Sequence, residues 1–233
     1  MKKIWQKTES NINNLLIEDY TVWNDYILDL ELIPYDIKWS KAHVKMLNKI
    51  WILTLDEKNI LLSWLDEIMD LYNSWDFIIY KYQEDWHTAI ESYLTEKFWE
   101  VWKKIHTARS RNDQILITTR LFTLDKIKEV ILSIEELIKS FESKINEIWN
   151  VIMPGYTHTQ KAMPTNIGTW LWSIKDSLKD DLLLTKAAEA INNQNPLWSI
   201  AWFWEDVFWI DRDFVTSELW LNKTQENPMY CAY

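Results

Sequence analysis

The sequence predicts a mainly α protein, in which a small N-terminal helical domain precedes the start of a bundle of long helices. Two apolar patterns favour the bundle, because they repeat at the three-and-four spacing of packed helices. The first pattern comprises Leu124, Ile127, Ile131, Ile134, Ile138, Phe141, Ile145 and Ile148. The second comprises Ile167, Leu171, Ile174, Leu178, Leu182, Thr185 and Ala188. No stretch alternates convincingly at the two-residue period of a β-strand.

Shorter helices are predicted on both sides of the long ones. Ser40–Ile50 and Asp56–Tyr72 have helical apolar spacing, with their first residues as candidate N-caps. Glu84–Phe98 is a third candidate helix, and another is predicted from Asp211 to Leu219. These segments complete an all-helical assignment.

The connection between the two long helices carries a histidine. Met163-Pro164 is predicted to open the second long helix, because proline suits the first helical turn. An upstream Pro-Gly pair indicates a turn that places His158 at one end of the bundle. Histidine has an ordinary pKa near neutrality, as general acid-base catalysis requires. A single loop histidine is weak support for an active site by itself.

The bulk composition excludes several classes of protein. The 233 residues carry a net charge of −10, which argues against a general binder of nucleic acid or of anionic membranes. The one cysteine, Cys231, cannot form an internal disulfide. No apolar run reaches the roughly 18 residues of a membrane span, and the first residues lack a signal core. The sequence therefore predicts a soluble, cytoplasmic protein.

The tryptophan and glycine contents are abnormal. The chain has 17 tryptophans and 2 glycines, whereas ordinary usage predicts roughly 16 glycines. Several tryptophans occupy positions typical of glycine. Trp51 and Trp220 follow helical patterns at the site where a left-handed residue is usual, and Trp75 lies in a turn tetrad. Four more, Trp198, Trp202, Trp204 and Trp209, crowd one short segment.

These positions suggest that most of the tryptophans are glycines. Some bacterial lineages read the UGA codon as glycine, and translation of their genes with UGA as tryptophan would produce this exchange. A dozen bulky residues in left-handed backbone, at about 1–2 kcal/mol each, would exceed the roughly 5–15 kcal/mol stability of a domain. By similarity to a family described below, Trp5 and Trp170 are expected to be genuine, and Trp149 stays undecided. The alternative is a truly tryptophan-rich protein.

One polar run carries the densest chemistry in the sequence. It reads His106-Thr-Ala-Arg-Ser-Arg-Asn-Asp-Gln114 and leads directly into the first long helix. Arg109 and Arg111 suit bidentate recognition of a carboxylate or phosphate, and a helix start presents backbone N–H groups to anions. The alternative for an arbitrary basic nonapeptide is a solvated turn that ends in a helix cap.

The order and spacing of this run resemble the signature of argininosuccinate lyases, in the superfamily of fumarase, aspartase and adenylosuccinate lyase. Three further segments resemble family motifs in family order. They are Glu84-Asp-Trp-His87-Thr-Ala-Ile-Glu91, Pro154-Gly-Tyr-Thr-His158-Thr-Gln160, and Ile210-Asp-Arg-Asp213 after Pro196-Leu-x-Ser. The resemblance covers essentially the whole chain. It implies the fumarase/aspartase type of helix bundle.

The resemblance also implies an activity and a set of site residues. The implied reaction is the elimination that splits argininosuccinate into arginine and fumarate, with His158 as a catalytic proton-transfer group. Arg111 and Asn112 would hold the succinate part, with Arg109 and Ser110 in support. The remaining expected substrate-binding residues are Thr157, Gln160 and His87. No cofactor or metal is implied, since His43, His87, His106 and His158 show no ligand spacing.

The resemblance further predicts the organisation of the chain. Residues 1–108 would form an N-terminal helical domain, and residues 109–233 the first part of the central bundle. The family is roughly twice this length, so the chain is expected to be an N-terminal fragment. The fragment alone is expected to be inactive, because the family's catalytic serine loop would lie in the missing half. Family members are homotetramers whose active sites combine several protomers. The apolar seam from Leu124 to Ile148 suits either the core or such an interface.

Two other functions are compatible with the sequence. One is a sibling lyase of the adenylosuccinate lyase or aspartase type, against which the Ser-Arg-Asn-Asp run argues. The other is a non-catalytic helical scaffold that keeps only the fold. An assay of the reaction product distinguishes these possibilities.

Overall fold

The computed structural model describes residues 17–80, 82–197 and 210–231. The described chain divides into two compact units. The first takes in the residues up to Thr119 together with those in the ranges 195–220 and 224–233. The second takes in residues 120–194 and 221–223. The division lies inside a helix, about ten residues after the predicted domain boundary; the domains 1–108 and 109–233 stay a prediction.

Helices dominate the described ranges, as the sequence predicted. In chain order the elements are α1 (Ile17–Lys49), α2 (Leu55–Asn73), α3 (Trp86–Trp102), a 3₁₀ turn (Lys103–His106), α4 (Arg111–Ile148), β1 (Ile152–Thr157), β2 (Gln160–Asn166), α5 (Ile167–Asn192), β3 (Gln194–Asn195), α6 (Arg212–Glu218), β4 (Lys223–Thr224) and α7 (Pro228–Cys231). Strands β1 and β2 form one two-stranded sheet, and β3 and β4 form another.

The core of the first unit is formed by the apolar faces of α1, α2 and α3. Fully buried side chains from all three helices meet there, because each helix repeats apolar residues at a spacing of three and four. They include Ile33, Ile37, Met46, Leu47, Leu61, Leu65, Ile68, Ile90 and Leu94. Of the predicted site residues, His87 lies on α3, and Arg109 and Ser110 lie on the turn that precedes α4.

The starts of two helices differ from the prediction. Thr54, rather than Asp56, caps α2, in a capping box where Thr54 Oγ1 accepts from the Glu57 amide and Glu57 Oε2 accepts from the Thr54 amide. Ser40 is not a cap, because α1 continues through it. Its hydroxyl instead donates to Asp36 one turn earlier, at 3.1 Å. A buried serine bonded within a helix resembles a cap in sequence alone.

Three tryptophans occupy left-handed backbone, at the positions where the sequence predicted it. The φ angles are 65° at Trp51, 63° at Trp75 and 63° at Trp220. After α1, the amides of Trp51 and Ile52 donate back to the carbonyls of Asn48 and Leu47, which is the bond pattern of a left-handed helix end. The recoding hypothesis itself stays a prediction. Trp198, Trp202, Trp204 and Trp209 lie outside the described residues.

The second unit contains an antiparallel pair formed by the later part of α4 and α5. Asn192 Nδ2 donates to the Arg120 carbonyl at 2.8 Å, and Lys186 Nζ pairs with Glu135 Oε1 at 3.1 Å. At the other end Gly168 packs on Trp149 so closely that an added Cβ would lie 2.5 Å from the indole. All eight residues of the predicted α4 seam are buried or half-buried. The seam is therefore a packing surface within this unit.

A β-hairpin joins these two helices, where the sequence predicted a loop and an earlier helix start. Strands β1 and β2 pair antiparallel, with Pro154 opposite Pro164 and Thr157 opposite Gln160. The prediction that Met163-Pro164 opens the helix is wrong, because α5 begins at Ile167 with Asn166 as its N-cap. Both strands are edges, so their prolines lose little by lacking an N–H. Most hairpin side chains are exposed, which removes the apolar alternation that identifies a strand.

Candidate active site

The polar run predicted to bind an anion forms the turn before α4 and the first turn of that helix. Ser110 Oγ accepts a hydrogen bond from the Asn112 amide at 3.0 Å, and the Ser110 amide donates to Asp113 Oδ2 at 3.1 Å. Ser110 thus caps the helix reciprocally with Asp113. Ala108, two residues before Ser110, has a φ of 58°, a left-handed conformation that favours glycine. The cap fixes the orientation of the neighbouring Arg111 and Asn112, both of which are exposed.

Arg111 connects the start of α4 to the start of α3. Its NH1 donates to Glu84 at 3.0 Å, and its NH2 donates to Asp85 at 2.7 Å. Asp85 is also the N-cap of α3 and accepts from the Thr88 amide at 2.8 Å. Burial raises the pKa of Asp85, but the Thr88 and Arg111 hydrogen bonds outweigh it and lower that pKa overall. Two of the predicted motifs are therefore tied together at their helix starts.

Arg109 is packed inside the first unit. Its side chain is 3% exposed, and its guanidinium lies 5.4 Å from the centre of the Trp39 ring. NH1 donates to Gln114 Oε1, and NH2 lies 2.8 Å from His106 Nδ1 and 3.5 Å from Glu91 Oε1. The alternative of a solvated turn is wrong for this residue. Its geometry suits the supporting role predicted for it, since its donors are directed at protein acceptors.

His87 lies between two carboxylates. Its Nε2 is 3.0 Å from Glu91 Oε1, one turn later on α3, and its Nδ1 is 3.7 Å from Asp36 Oδ2 on α1. Burial lowers the pKa of His87, but these two carboxylates prevail and raise it. The nearby His106 has the opposite behaviour, because burial and the Arg109 charge lower its pKa to about 4. His87 therefore binds a proton more readily than an ordinary histidine, and the neighbouring His106 binds one less readily.

The structure brings five predicted site residues together in the first unit. They are His87, Arg109, Ser110, Arg111 and Asn112, joined by the contacts described above. The other three, Thr157, His158 and Gln160, lie on the hairpin of the second unit. Thr157 pairs with Gln160, and the two-residue turn between the strands consists of His158 and Thr159, with φ angles of 49° and 64°. The turn exposes the His158 imidazole at the tip of the hairpin.

Asp36 is a residue of this region that the sequence did not identify. It is fully buried and accepts hydrogen bonds from Ser40, Trp86 and Gln114. One available signal was the placement of Asp36 and Ser40 four residues apart on the apolar face of α1, because a polar pair on such a face is expected to bond to other elements. Gln114 belongs to the predicted motif, but it had no assigned role.

The deeply buried His43 is expected to make the stability of the fold sensitive to acid. Its Nε2 lies 3.0 Å from the Ile105 carbonyl oxygen, and burial together with the Arg109 charge lowers its pKa to about 3. In the unfolded chain histidine binds a proton near pH 6.5. The stability that the neutral form contributes is therefore present above that pH and is lost as the pH falls. Linkage predicts a loss of about 2 kcal/mol from His43 between about pH 7.5 and pH 5.

Urea unfolding at the two pH values measures this loss, with His43→Gln as the matched variant. His87, whose pKa is raised, contributes stability that is present at low pH and lost as the pH rises, so it opposes the effect in both proteins. The quantity to compare is the difference between parent and variant. An equal pH dependence of the two free energies of unfolding would contradict the prediction.

The described residues contain neither a candidate metal site nor a candidate membrane span. No group of three or more His, Cys, Asp or Glu side chains within the described ranges is placed to hold a metal ion. No helix in those ranges has the length and hydropathy needed to cross a membrane.

Solved structures of helical lyases share the fold of this chain. An EDDS lyase variant with bound fumarate aligns with a TM-score of 0.75 and 25% identity, over 88% of this chain and 40% of its own. A fumarate lyase:delta crystallin from Brucella melitensis aligns with a TM-score of 0.73 over 88% of this chain and 50% of its own. At 18% identity, the latter comparison shows the fold alone. The predicted fold class, a mainly α protein of the fumarase/aspartase type, is confirmed.

Sequence comparison identifies the family. The profile of the family described as lyase matches residues 13–201, and the chain belongs to this lyase family. The argininosuccinate lyase of Thermotoga neapolitana is 40% identical over 229 residues, which are 98% of this chain and 57% of that protein. Those of Phocaeicola vulgatus and Xanthomonas campestris are 39% and 35% identical, over 98% and 97% of this chain. The chain covers 51% and 52% of those two proteins, so it spans about half the length of the curated relatives it matches.

Proposed function

We propose that this chain forms part of an argininosuccinate lyase, which splits argininosuccinate into arginine and fumarate. The observation that carries the proposal is the similarity of nearly the whole chain to enzymes of that name, at 35–40% identity. Within it, the capped start of α4 presents Arg111 and Asn112 beside the start of α3. The predicted cytoplasmic location is compatible with this function and stays a prediction.

The chemistry of the elimination assigns a task to each part of the site. A base removes a proton from the carbon next to a carboxylate, the C–N bond breaks, and an acid protonates the departing guanidino nitrogen of arginine. Negative charge develops on the carboxylate, where cationic and N–H donors lower the barrier. Arg111 and Asn112 are the proposed donors in the first unit. Glu84 and Asp85 hold the Arg111 guanidinium in one orientation, which reduces the entropy lost on binding.

The hairpin contributes the proposed proton-transfer group. His158 is exposed at a tight two-residue turn, so its imidazole is accessible to a ligand. Thr157 and Gln160 flank it as a cross-strand pair, and we propose that they bind a substrate carboxylate and orient the site. Arg109, Ser110 and His87 are proposed to support substrate binding from the first unit. No second proton-transfer residue is assigned to this chain.

A product assay tests the function. The full-length product of the gene that encodes this chain is incubated separately with argininosuccinate, adenylosuccinate and aspartate, and fumarate is measured by its ultraviolet absorbance. Fumarate from argininosuccinate alone is the expected result. Fumarate from either of the other two would assign a sibling reaction, and fumarate from none of them would contradict the proposal.

We propose that the protein works as a homotetramer, and the surface of the second unit supports this proposal. Its helices keep large apolar side chains on the surface, beyond the seam that packs within the unit. They are Val130, Leu132, Leu137, Leu183, Leu184 and Ile191, each at least 45% exposed. An apolar surface of this kind is typical of a protein–protein interface. A tetramer built through these long helices is the proposed arrangement.

The apolar surface predicts self-association of the chain. At micromolar concentration the 233-residue chain is expected to form oligomers or aggregates and to bind a hydrophobic dye, because association covers the exposed leucines. The double variant Leu183→Glu, Leu184→Glu should shift the light-scattering mass toward that of the monomer. The matched control, Ser143→Glu together with Asn146→Glu, adds the same two negative charges at exposed polar positions of α4. A parent chain that is monomeric and binds no dye would contradict the prediction.

A further inference from the structure

The buried carboxylate of Asp36 joins three helices beneath the proposed substrate site. Asp36 is 0% exposed on α1. Its Oδ1 accepts from Gln114 Nε2 of α4 at 2.6 Å, and its Oδ2 accepts from Trp86 Nε1 of α3 at 2.8 Å. Ser40 adds a third hydrogen bond to Oδ1. A buried carboxylate is costly unless it is well partnered, and here the partners come from separate parts of the chain.

Two contacts of the Asp36 carboxylate, with His87 and with Gln114, lead to predicted site residues. Asp36 Oδ2 is 3.7 Å from Nδ1 of His87, whose other nitrogen meets Glu91. Gln114, held by its amide nitrogen to Asp36, accepts a hydrogen bond from Arg109 through its amide oxygen. Asp36 therefore determines how Gln114 is oriented, because a flipped amide would present donors to the Arg109 guanidinium. The buried Asp36 carboxylate thus affects both His87 and the Arg109–Gln114 pair without being exposed to a ligand.

We propose that Asp36 is a positioning residue of the substrate site, whose carboxylate favours the protonated form of His87 and fixes the orientation of the Arg109–Gln114 turn. The inference rests on the proposed function, since it assigns the positively charged side chain to a site for a dicarboxylate. The His87 side chain is 3% exposed, and its two ring nitrogens face Asp36 and Glu91. The protonated ring can donate toward both carboxylates, whereas a neutral imidazole offers one N–H donor at most. Asp36 itself does not touch the substrate.

The charges around His87 decide its protonation. Asp36 faces it from α1 and Glu91 from α3 itself, and both favour the cation. Arg109, from the turn before α4, and the desolvation of a buried ring oppose the cation. His106 Nδ1 lies 3.4 Å from Glu91 Oε1, the same oxygen that contacts His87. Removal of the Asp36 charge alone leaves the opposing contributions in place, so His87 should lose its proton at a lower pH.

NMR titration of the four histidines tests the proposal, in the 233-residue chain that carries Leu183→Glu and Leu184→Glu to favour the monomer. His87 is assigned by the signal lost in His87→Gln. In Asp36→Asn the pKa of His87 is expected to fall by about one pH unit or more, the usual effect of one adjacent opposite charge. The matched control is Ser40→Ala, which removes one donor to the other carboxylate oxygen of Asp36 and keeps the carboxylate. It should leave the His87 titration where it is in the parent.

An unchanged His87 titration in Asp36→Asn would overturn the proposal. An equal fall of the His87 pKa in Ser40→Ala would also overturn it, because the effect would then follow from general loss of packing. If Asp36→Asn does not fold, Glu91→Gln is used, because Glu91 lies at the half-exposed edge of the network. There Asp36 should keep the His87 pKa at or above its ordinary value, and a titration clearly below that value would overturn the proposal. The readout needs no substrate. A failed fumarate assay with an intact Asp36 effect would therefore refute the function alone.

Discussion

His158→Asn is expected to lower kcat for fumarate production by about 100- to 10,000-fold, the usual contribution of a general acid or base. The reason is the loss of the only imidazole on the hairpin, at the tip where the turn exposes it. Asparagine is chosen because it tolerates the left-handed backbone of this position better than most residues. The hairpin should therefore persist while the proposed proton-transfer group is removed. The measurement is steady-state fumarate production from argininosuccinate by the full-length gene product.

Thr159→Asn is the matched control for His158→Asn. It places the same residue in the other half of the same turn and leaves the imidazole in place, so kcat should stay near that of the parent. A His158→Asn protein with a kcat within a few-fold of the parent would remove His158 from the mechanism. Equal losses in the two variants would attribute the effect to the turn.

Glycine at Trp51, Trp75 and Trp220 together is expected to stabilise the chain by about 2–3 kcal/mol. Left-handed backbone costs a bulky residue about 1–2 kcal/mol, and the greater freedom of unfolded glycine returns about 0.4–1 kcal/mol of that at each site. The three side chains are 92%, 61% and 85% exposed, so their removal loses little packing. For a chain of this length the gain corresponds to roughly 5–10 °C in Tm. Thermal unfolding followed by circular dichroism measures it.

Trp170→Gly is expected to lower the stability of the chain, in contrast to the triple variant. Trp170 is also largely exposed but lies within α5, where glycine costs about 0.5–1 kcal/mol relative to a good helix former. The Tm should fall in this variant and rise in the triple variant. A triple variant that is less stable than the parent would contradict the argument from backbone angle. UGG codons at positions 51, 75 and 220 in the gene would end the recoding hypothesis independently of stability.

Two buried tryptophans add a separate argument for recoding. Trp39 and Trp102 are almost completely buried, and within the described part of the chain their indole N–H groups have no hydrogen-bond partner. A buried donor without a partner costs about 1–3 kcal/mol. Native proteins place such groups rarely, so two instances in one residue type favour a different residue at both positions.

The sequence predicted the elements whose packing follows one repeated rule. The seam of α4 was identified residue by residue, because a helix that packs along its whole length must repeat apolar side chains at a helical spacing. The left-handed sites at Trp51, Trp75 and Trp220 were predicted because helix ends and tight turns restrict backbone angles locally. The motif around Arg111 was identified by resemblance, and the structure adds that Glu84 and Asp85 hold its guanidinium.

The features that the sequence did not predict depend on contacts between distant segments. The hairpin has no buried face within its own unit, so its strands lack the alternation by which a strand is identified. Asp36 became visible only when α1, α3 and α4 were packed together, since its partners Trp86 and Gln114 are 50 and 78 residues away. The sequence predicts a cap at Ser40, because local composition cannot distinguish capping from the bond that Ser40 makes to Asp36.

The turn at the hairpin tip has a consequence for laboratory evolution. Two-residue turns with positive φ at both positions favour Asn-Gly, yet this turn carries His158 and the β-branched Thr159. A library of variants screened only for heat resistance should therefore accumulate glycine or asparagine at both positions. A screen for growth without arginine should retain histidine at 158 while leaving 159 free to vary. The residues that the two screens select at 158 would separate the demands of folding from those of catalysis.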